Sequence, residues 1–196
     1  MNKITRDSLL TLEDYAKVRS QKRSEVMTHK KARKVPLGSH ITLIFEDDIT
    51  IRYQIQEMLL VERIFQENEI THELDTYLPL IPDGTNWKAT MMIEYPDPAE
   101  RAAQLAKMVG IEDKVWVKID DYPPVYAIAD EDLDRENTEK TSSVHFLRFE
   151  LSHDMIRALH QHGNLSIGVD HPAYRAVIET VDEQIRTSLT NDLIDQ

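Results

Sequence analysis

The spacing of apolar and polar residues changes several times along the chain, and its first stretch is typical of one long helix. Residues 11–34 contain neither Gly nor Pro, and they begin with Thr11-Leu12-Glu13-Asp14. A hydroxyl residue followed by two acidic residues is a common helix N-terminus, because the hydroxyl caps free N–H groups and the carboxylates favour the helix dipole. Pro36 and Gly38 then end the helix. We therefore predict a long N-terminal helix.

After this helix, apolar and polar residues alternate along the chain. Apolar residues recur at every second position in residues 41–45 and again in residues 49–54, with Asp47-Asp48 between the two stretches. Alternation on both sides of a short polar turn predicts a β-hairpin, and it places Arg52 on the polar face of the second strand. The spacing after the hairpin is helical and predicts helices at about 55–68 and 69–77.

Two later stretches repeat the order of strand, capped helix, glycine and strand. In each stretch a polar residue precedes the helix and a glycine, Gly110 or Gly163, follows it. Such residues are frequent at helix ends. Pro172 predicts the start of a C-terminal helix from Ala173 to about Asp192. The predicted strands are 89–95, 115–119, 125–129, 144–151 and 165–169, and the predicted helices between them are 99–109 and 153–161.

These elements predict the α+β fold class. The expected architecture is a mixed, largely antiparallel sheet of about six or seven strands, with helices on one face and long N- and C-terminal helices. We expect residues 1–38 to form a basic helical arm and residues 39–196 to form the α+β domain, the two making one structural unit.

The charge of the chain is divided between these two parts. Residues 1–40 contain ten Lys or Arg and four acidic residues, a balance of +6, whereas the other residues contain 13 and 31, a balance of −18. A basic helix could bind nucleic acid, but the acidic body would repel phosphate. The favoured interpretation is that the arm packs on its own body or on a second copy in a homo-oligomer, and nucleic-acid binding is disfavoured.

Composition excludes several functional classes. The chain has no cysteine and only five glycines, which excludes thiol nucleophiles, disulfides and cysteine-ligated metal centres on this chain. The glycine positions form neither a Walker loop nor a dinucleotide fingerprint. No apolar run approaches the ~18 residues of a membrane span, and the N-terminus lacks an apolar signal region. We therefore expect a cytoplasmic protein with no membrane segment and no cofactor of its own.

Polar residues on predicted strands are the best candidates for chemistry. His145 lies on the apolar face of strand 144–151, and Arg148 lies on the opposite face. If the polar faces of the sheet meet in one cleft, the candidates for catalysis or metal binding are Arg52, Glu57, Glu94, His145 and Arg148, with His171 as an alternative to His145. The competing interpretations are a hydrogen-bonded core histidine and a structural network of ion pairs.

Two polar segments are candidates for ligand binding. The turn-rich loop 79–88 contains Asp83, Asn86 and Lys88, and Asp170 with His171 follows the last predicted strand. Polar loops that lead into regular structure often hold ligands, although they equally often only turn the chain.

One set of aspartates has the spacing that begins a calcium-binding loop. Asp130-x-Asp132-x-Asp134 begins like a calcium loop, but Arg135 and Thr141 occupy the positions that require glycine and a bidentate glutamate. We interpret this segment as a solvated acidic loop, and we assign no definite metal ligand set from the sequence.

Four motifs carry a resemblance to a known family. RYQIQEML (52–59), PLIPDGTNWKATMMIEYP (79–96), KTSSVHFLRFEL (140–151) and GVDHPAY (168–174) are similar to an uncharacterised bacterial domain-of-unknown-function family, and the resemblance covers nearly the whole chain. Members of that family are often encoded near rubrerythrin-like proteins and iron–sulfur oxidoreductases. The resemblance implies a link to peroxide or metal redox metabolism, and it supplies no catalytic residues.

Three functions remain open at this stage. The first is an accessory or interaction protein of a peroxide or metal redox system, whose partner is a rubrerythrin-like or iron–sulfur protein. The second is a small His/carboxylate metal-binding protein or enzyme. The third is a nucleic-acid binder that uses the basic residues of the arm. Whether the chain is an enzyme stays open.

Overall fold

The computed structural model describes residues 4–131 and 140–195, and it confirms the predicted α+β class. Within these residues lie six α-helices and nine strands in two antiparallel sheets, where one sheet of six or seven strands was expected. Contacts group the chain into a helical unit (4–32 and 46–82) and a sheet unit (33–45, 83–131 and 140–195). A basic arm that ends at residue 38 stays a prediction.

Three helices build the helical unit: α1 (Leu12–Lys31), α2 (Asp48–Val61) and α3 (Glu67–Tyr77). The predicted N-terminal helix is present as α1, and the Thr11 hydroxyl caps it by accepting a hydrogen bond from the Asp14 N–H at 3.2 Å. Residues of α2, α3 and the segment before α1 share a small apolar core, which includes Ile55 and Leu74. Among the helices of the described residues, none has both the length and the apolar character needed to cross a membrane.

The predicted hairpin at 41–54 is wrong in its second half, because α2 occupies the place of its second strand. Asp47 begins this helix: its carboxylate accepts the Thr50 N–H at 2.9 Å, and its own N–H donates to the Thr50 hydroxyl at 2.9 Å. Such reciprocal capping favours a helix over a turn. The buried apolar residues of α2 follow helical spacing and are Ile51, Ile55 and Leu59.

Two antiparallel sheets build the sheet unit, together with α4 (Pro98–Leu105), α5 (His153–His160) and α6 (Glu183–Thr190). The first sheet has the spatial order β1 (Lys34–Leu37), β2 (Ile41–Phe45), β3 (Asn86–Ile93), β7 (Val144–Glu150) and β6 (Ile128–Ala129). The second has the order β5 (Val125–Tyr126), β4 (Val115–Ile119), β8 (Leu165–His171) and β9 (Tyr174–Ile178).

The predicted C-terminal helix at 173–192 is wrong over its first half. β8 and β9 form a hairpin in which His171 lies opposite Tyr174, and only α6 is helical. The segment YRAVI at 174–178 is rich in aromatic and β-branched residues, which favour strands. The Tyr174 hydroxyl also donates to the carbonyl of Leu37 at 2.6 Å, which fastens the hairpin to the end of β1.

One apolar core joins residues of both sheets. Trp87 is fully buried in it, where its ring packs edge-on against Phe45 and its indole N–H donates to the carbonyl of Leu189 at 2.9 Å. Arg33 is buried as well: its Nε donates to the carbonyl of Phe45 at 2.8 Å, and its guanidinium pairs with Asp192. Within the sheet unit, the C-terminal segment is thus tied to Trp87 and Arg33 by polar contacts.

Candidate functional site

Strand β7 carries two predicted site residues on opposite faces, because side chains alternate along a strand. His145 faces the interior and has no exposed surface, whereas Arg148 lies on the other face and is partly exposed. The sheet unit therefore does not bring these two side chains into one cleft.

Asp130 reaches His145 because β6 pairs with β7. The Asp130 N–H donates to the carbonyl of Phe146 at 2.9 Å, and its Oδ1 accepts the Phe146 N–H at 2.9 Å. Its second carboxylate oxygen, Oδ2, lies 2.5 Å from His145 Nδ1. Asp130 has a φ of 49°, a left-handed conformation that aspartate tolerates better than most residues.

Three oxygens surround the other ring nitrogen of His145. Thr141 Oγ1 lies 2.9 Å from Nε2, the Ser142 carbonyl 3.1 Å, and Glu112 Oε2 3.8 Å. The Thr141 hydroxyl donates to Glu112 Oε2 at 3.3 Å. Glu112 belongs to a single 3₁₀ turn just before β4, and both it and Thr141 are buried. A glutamate, an aspartate and a histidine thus converge inside the fold.

The distances in this cluster fit a metal ligand set in which Asp130 supports His145. Metal bonds of about 2.0–2.2 Å place neighbouring ligand atoms roughly 3–4 Å apart, and the 3.8 Å between His145 Nε2 and Glu112 Oε2 lies in that range. The 2.5 Å between Asp130 and Nδ1 is too short for two ligands of one ion, and it matches a hydrogen bond. A carboxylate on the far nitrogen of a metal-binding histidine is a common arrangement.

A nucleophilic role fits the same cluster less well. The order Asp130, His145, Thr141 resembles an orienting acid, a base and a hydroxyl nucleophile. Thr141 is only 2% exposed, however, and its hydroxyl already donates to Glu112. A substrate could not reach it without opening the interior, so the burial favours metal binding or a structural role over catalysis.

On the opposite face of the same sheet, four other predicted residues meet in a network of ion pairs and hydrogen bonds. Arg148 makes two bonds of 2.7 Å to Glu131 and also contacts Glu150. The Asn86 amide donates to Glu150 at 3.1 Å and to Asp83 at 2.9 Å. Lys88 lies opposite Arg148 in the strand register.

The titration behaviour of this network follows from its geometry. Burial lowers the pKa of Lys88, and the positive charge of Arg148 lowers it further, against the opposing effect of Glu131. Burial raises the pKa of Asp83, but hydrogen bonds from Thr85 and Asn86 outweigh it and leave that pKa below its ordinary value. These mutual contacts favour the interpretation as a structural network.

Arg52 and Glu57 lie in α2, in the helical unit. Arg52 donates through Nη1 to the Ser8 carbonyl at 3.0 Å and to the Ser8 hydroxyl at 2.8 Å. Glu57 accepts hydrogen bonds from Arg19 and from the Tyr15 hydroxyl, each at 2.8 Å. The bond from Arg19 is the main cause that holds the pKa of Glu57 below its ordinary value. The helical conformation of 49–54 removes the polar strand face on which Arg52 was expected.

Glu94 and Asp170 have local partners. Glu94 accepts the Thr42 hydroxyl at 2.7 Å, beyond the end of β3. Asp170 forms an exposed ion pair of 3.0 Å with Arg175 across the β8–β9 hairpin. The sequence placed Asp170 after the last strand, but the residue lies within β8.

His171 is buried, and both of its ring nitrogens are hydrogen-bonded to backbone groups. Its Nδ1 accepts the Ala173 N–H at 3.2 Å, so Nε2 carries the proton and donates to the Val109 carbonyl at 3.1 Å. No carboxylate of the described residues contacts this ring.

Sequence reasoning missed Glu112 and Thr141 as neighbours of His145. The available signal was His145 itself, since a histidine on an apolar strand face requires partners. Its partner Asp130 appeared only as the first residue of the acidic loop. Residues 132–139 of that loop lie outside the described residues, so the solvated loop stays a prediction.

Comparisons with known proteins agree with the family resemblance. A family model described as protein of unknown function (DUF3501) matches residues 3–193. A crystal structure of a novel protein of unknown function from Burkholderia pseudomallei K96243 is 56% identical and superposes with a TM-score of 0.93, covering 97% of this chain and 99% of that one. No curated protein matches the chain.

Proposed function

The chain belongs to the DUF3501 family, and we propose from the surroundings of His145 that it is a metal-binding accessory protein of a peroxide or metal redox system. In this proposal Glu112 and His145 bind the ion directly, and Asp130 orients the imidazole. The carrying observation is that His145 Nε2 and Glu112 Oε2 lie 3.8 Å apart, while Asp130 Oδ2 lies 2.5 Å from the opposite ring nitrogen.

The burial and the donor types of the cluster support a bound cation. Glu112 and His145 are buried, at 5% and 0% exposure, and Asp130 stands directly behind the ring. Carboxylate and imidazole groups are ligand types that divalent ions take in proteins. The hydroxyl of Thr141 and the carbonyl of Ser142, at 2.9 Å and 3.1 Å from His145 Nε2, offer further oxygen ligands.

The types of ligand atom in the cluster limit the choice of metal ion. Imidazole suits zinc, iron, nickel and copper, whereas carboxylate, hydroxyl and carbonyl oxygens suit manganese and magnesium. A site with one imidazole and several oxygens therefore favours Fe²⁺, Mn²⁺ or Zn²⁺. Because the chain has no cysteine, a thiolate site is excluded.

The accessory role rests on the gene neighbourhood that the family resemblance implies. We propose a cytoplasmic protein whose partner is a rubrerythrin-like or iron–sulfur protein. The burial of the ligand set supports storage or sensing of a metal more than turnover of a bulky substrate. Binding of nucleic acid plays no part in this proposal: Arg19, a basic residue of α1, is already paired with Glu57.

Metal content tests the ligand set. Protein purified without an affinity tag should contain close to one equivalent of Fe, Mn or Zn by mass spectrometry, and Glu112→Gln and His145→Gln should each reduce it at least about tenfold. His171→Gln is the matched control, because His171 is also buried but, among the described residues, its ring nitrogens are hydrogen-bonded to backbone groups. It should retain the metal.

Two outcomes would contradict the site. One is wild-type protein that carries no metal and shows no shift in unfolding temperature when each ion is added. The other is equal loss of metal from His171→Gln and His145→Gln, which would point to a general effect on folding. Circular dichroism of every variant shows whether it is folded when the metal is measured.

The accessory role needs its own experiment. Purified chain and a purified rubrerythrin-like protein should bind each other in isothermal titration calorimetry, and hydrogen peroxide consumption by the mixture should differ from that of the partner alone. Absence of both effects would reject the redox assignment while leaving the metal site intact.

A further inference from the structure

We propose that the helical unit binds a small monocarboxylate with an apolar body, in a cavity lined by α1, α2 and the segment before α1. The proposal is independent of the metal site, which belongs to the sheet unit. It rests on the walls of the cavity and on one cation that has no anionic partner among the residues that the structure describes.

The cavity has the size and lining of a small-molecule site. Its volume is about 560 Å³, and ligand pockets commonly measure about 300–1,000 Å³. Most of its wall surface is apolar, and its apolar and aromatic lining residues are Leu10, Tyr15, Val26, Ile49 and Tyr53. Leu10 and Ile49 are 42% and 44% exposed, so an apolar ligand would remove their side chains from water.

Arg52 supplies the charge for a carboxylate. It lines the cavity, and its Nη1 is held by the carbonyl and the hydroxyl of Ser8, which are both neutral. No carboxylate in residues 4–131 or 140–195 lies within ion-pair distance of this guanidinium, and Nε and Nη2 have no hydrogen-bond acceptor there. Two parallel N–H groups of arginine match the two oxygens of a carboxylate.

The other side chains of the wall that can carry a positive charge already contact a carboxylate. Lys22 pairs with Glu25 at 2.9 Å, and His29 lies 2.5 Å from Asp47. Gln56 accepts the Leu10 N–H at 2.7 Å, which fixes the segment that forms one wall. Arg52 therefore remains as the one cation of the wall without a carboxylate partner among the described residues.

These features select the ligand class. A single cation without a carboxylate partner in residues 4–131 and 140–195 fits one negative charge. A mostly apolar wall disfavours a highly charged nucleotide, which would need several cations and polar groups. A carboxylate on an alkyl or aryl body satisfies both conditions. Each additional buried methylene should strengthen such binding about fourfold, so affinity should rise with chain length until the cavity is full.

Calorimetry with simple alkanoates tests the proposal. Decanoate, kept below its micelle concentration, should bind the wild-type chain with one-to-one stoichiometry, acetate should bind far more weakly, and 1-decanol should bind more weakly than decanoate. Arg52→Gln should weaken decanoate binding at least about tenfold and leave 1-decanol unchanged. Arg63→Gln is the matched control, since Arg63 is exposed and does not line the cavity.

A second variant separates the apolar wall from the charge. Ile49→Asn should weaken both decanoate and 1-decanol, because it replaces an exposed apolar wall residue. Equal affinity of decanoate for wild type and Arg52→Gln, or equal affinity of wild type for decanoate and 1-decanol, would overturn the assignment of a carboxylate site. Circular dichroism confirms that each variant is folded.

Discussion

Asp130 Oδ2 and His145 Nδ1 lie 2.5 Å apart, and this contact joins the residue after β6 to the buried face of β7. The second oxygen of the same carboxylate accepts the Phe146 N–H at 2.9 Å. Because both oxygens are engaged, the carboxylate cannot rotate freely, and the imidazole is held with Nε2 toward Thr141 and Glu112. Asp130 is therefore a positioning residue for His145.

Replacing this carboxylate should affect both stability and metal binding. We expect Asp130→Asn to lower the free energy of unfolding by about 1–3 kcal/mol, because a buried histidine loses a charged acceptor. If the proposed metal site is correct, the affinity for the ion should also fall about 10–100-fold. Urea titration measures the first effect, and competition with a metal-sensitive dye measures the second.

The matched control for this change is Asp170→Asn. Asp170 pairs with Arg175 on the surface, where both side chains are more than half exposed, so the free energy of unfolding should change by less than about 0.5 kcal/mol. Wild-type stability of Asp130→Asn would show that the contact with His145 contributes little.

The buried pair of Arg33 and Asp192 should matter far more than the surface pairs. Arg33 is 2% exposed at its side chain and Asp192 is 12% exposed. Asp192→Ala removes the carboxylate from a buried guanidinium and should lower the free energy of unfolding by about 3 kcal/mol. Glu67→Ala, which breaks the exposed pair with Arg6, should change it by less than about 1 kcal/mol. Equal effects of the two substitutions in urea unfolding would contradict this ranking.

The elements that sequence predicted well are those with strong local signals. α1 follows from an uninterrupted stretch with a capping threonine, and β3, β4, β7 and β8 follow from alternation between turn residues. The errors occurred where two periods were compatible with the same residues. Apolar and polar residues alternate in 49–54, but Ile51 is also the first residue of an apolar set with helical spacing. The N-cap at Asp47 favours the helix.

The candidate site could be predicted only in part, because its members come from distant parts of the chain. His145 was identified from its position on an apolar strand face. Glu112 precedes a different strand, and its contact with Thr141 depends on the pairing of strands. Arg52 and Arg148 were both found, but nothing local in the sequence shows that they belong to different compact units.

Lys88 should make stability depend on pH in the alkaline range. Its pKa in the folded state is lowered from the ordinary 10.5, first by burial and then by Arg148. Between the lowered value and 10.5 the unfolded chain binds more protons at this site, so the contribution of Lys88 to stability rises with pH. We expect Lys88→Met to be more stable than wild type near about pH 7, with the difference shrinking toward about pH 10. Urea unfolding of both proteins across this range measures the difference, and a constant difference would contradict the lowered pKa.

The close approach of β4 and β8 at Trp116 and Gly168 should not tolerate even one methyl group. The two residues lie directly opposite each other, and a Cβ added to Gly168 would stand 2.3 Å from Cζ2 of the Trp116 ring. A rigid ring cannot yield as a flexible side chain would, so Gly168→Ala should lower the free energy of unfolding by about 1–3 kcal/mol. In a Trp116→Ala background the same substitution should cost less than about 0.5 kcal/mol, because the clash is gone. Urea unfolding of the four proteins in this cycle measures the coupling. Additive effects of the two substitutions would show that the requirement for glycine at position 168 does not come from contact with the Trp116 ring.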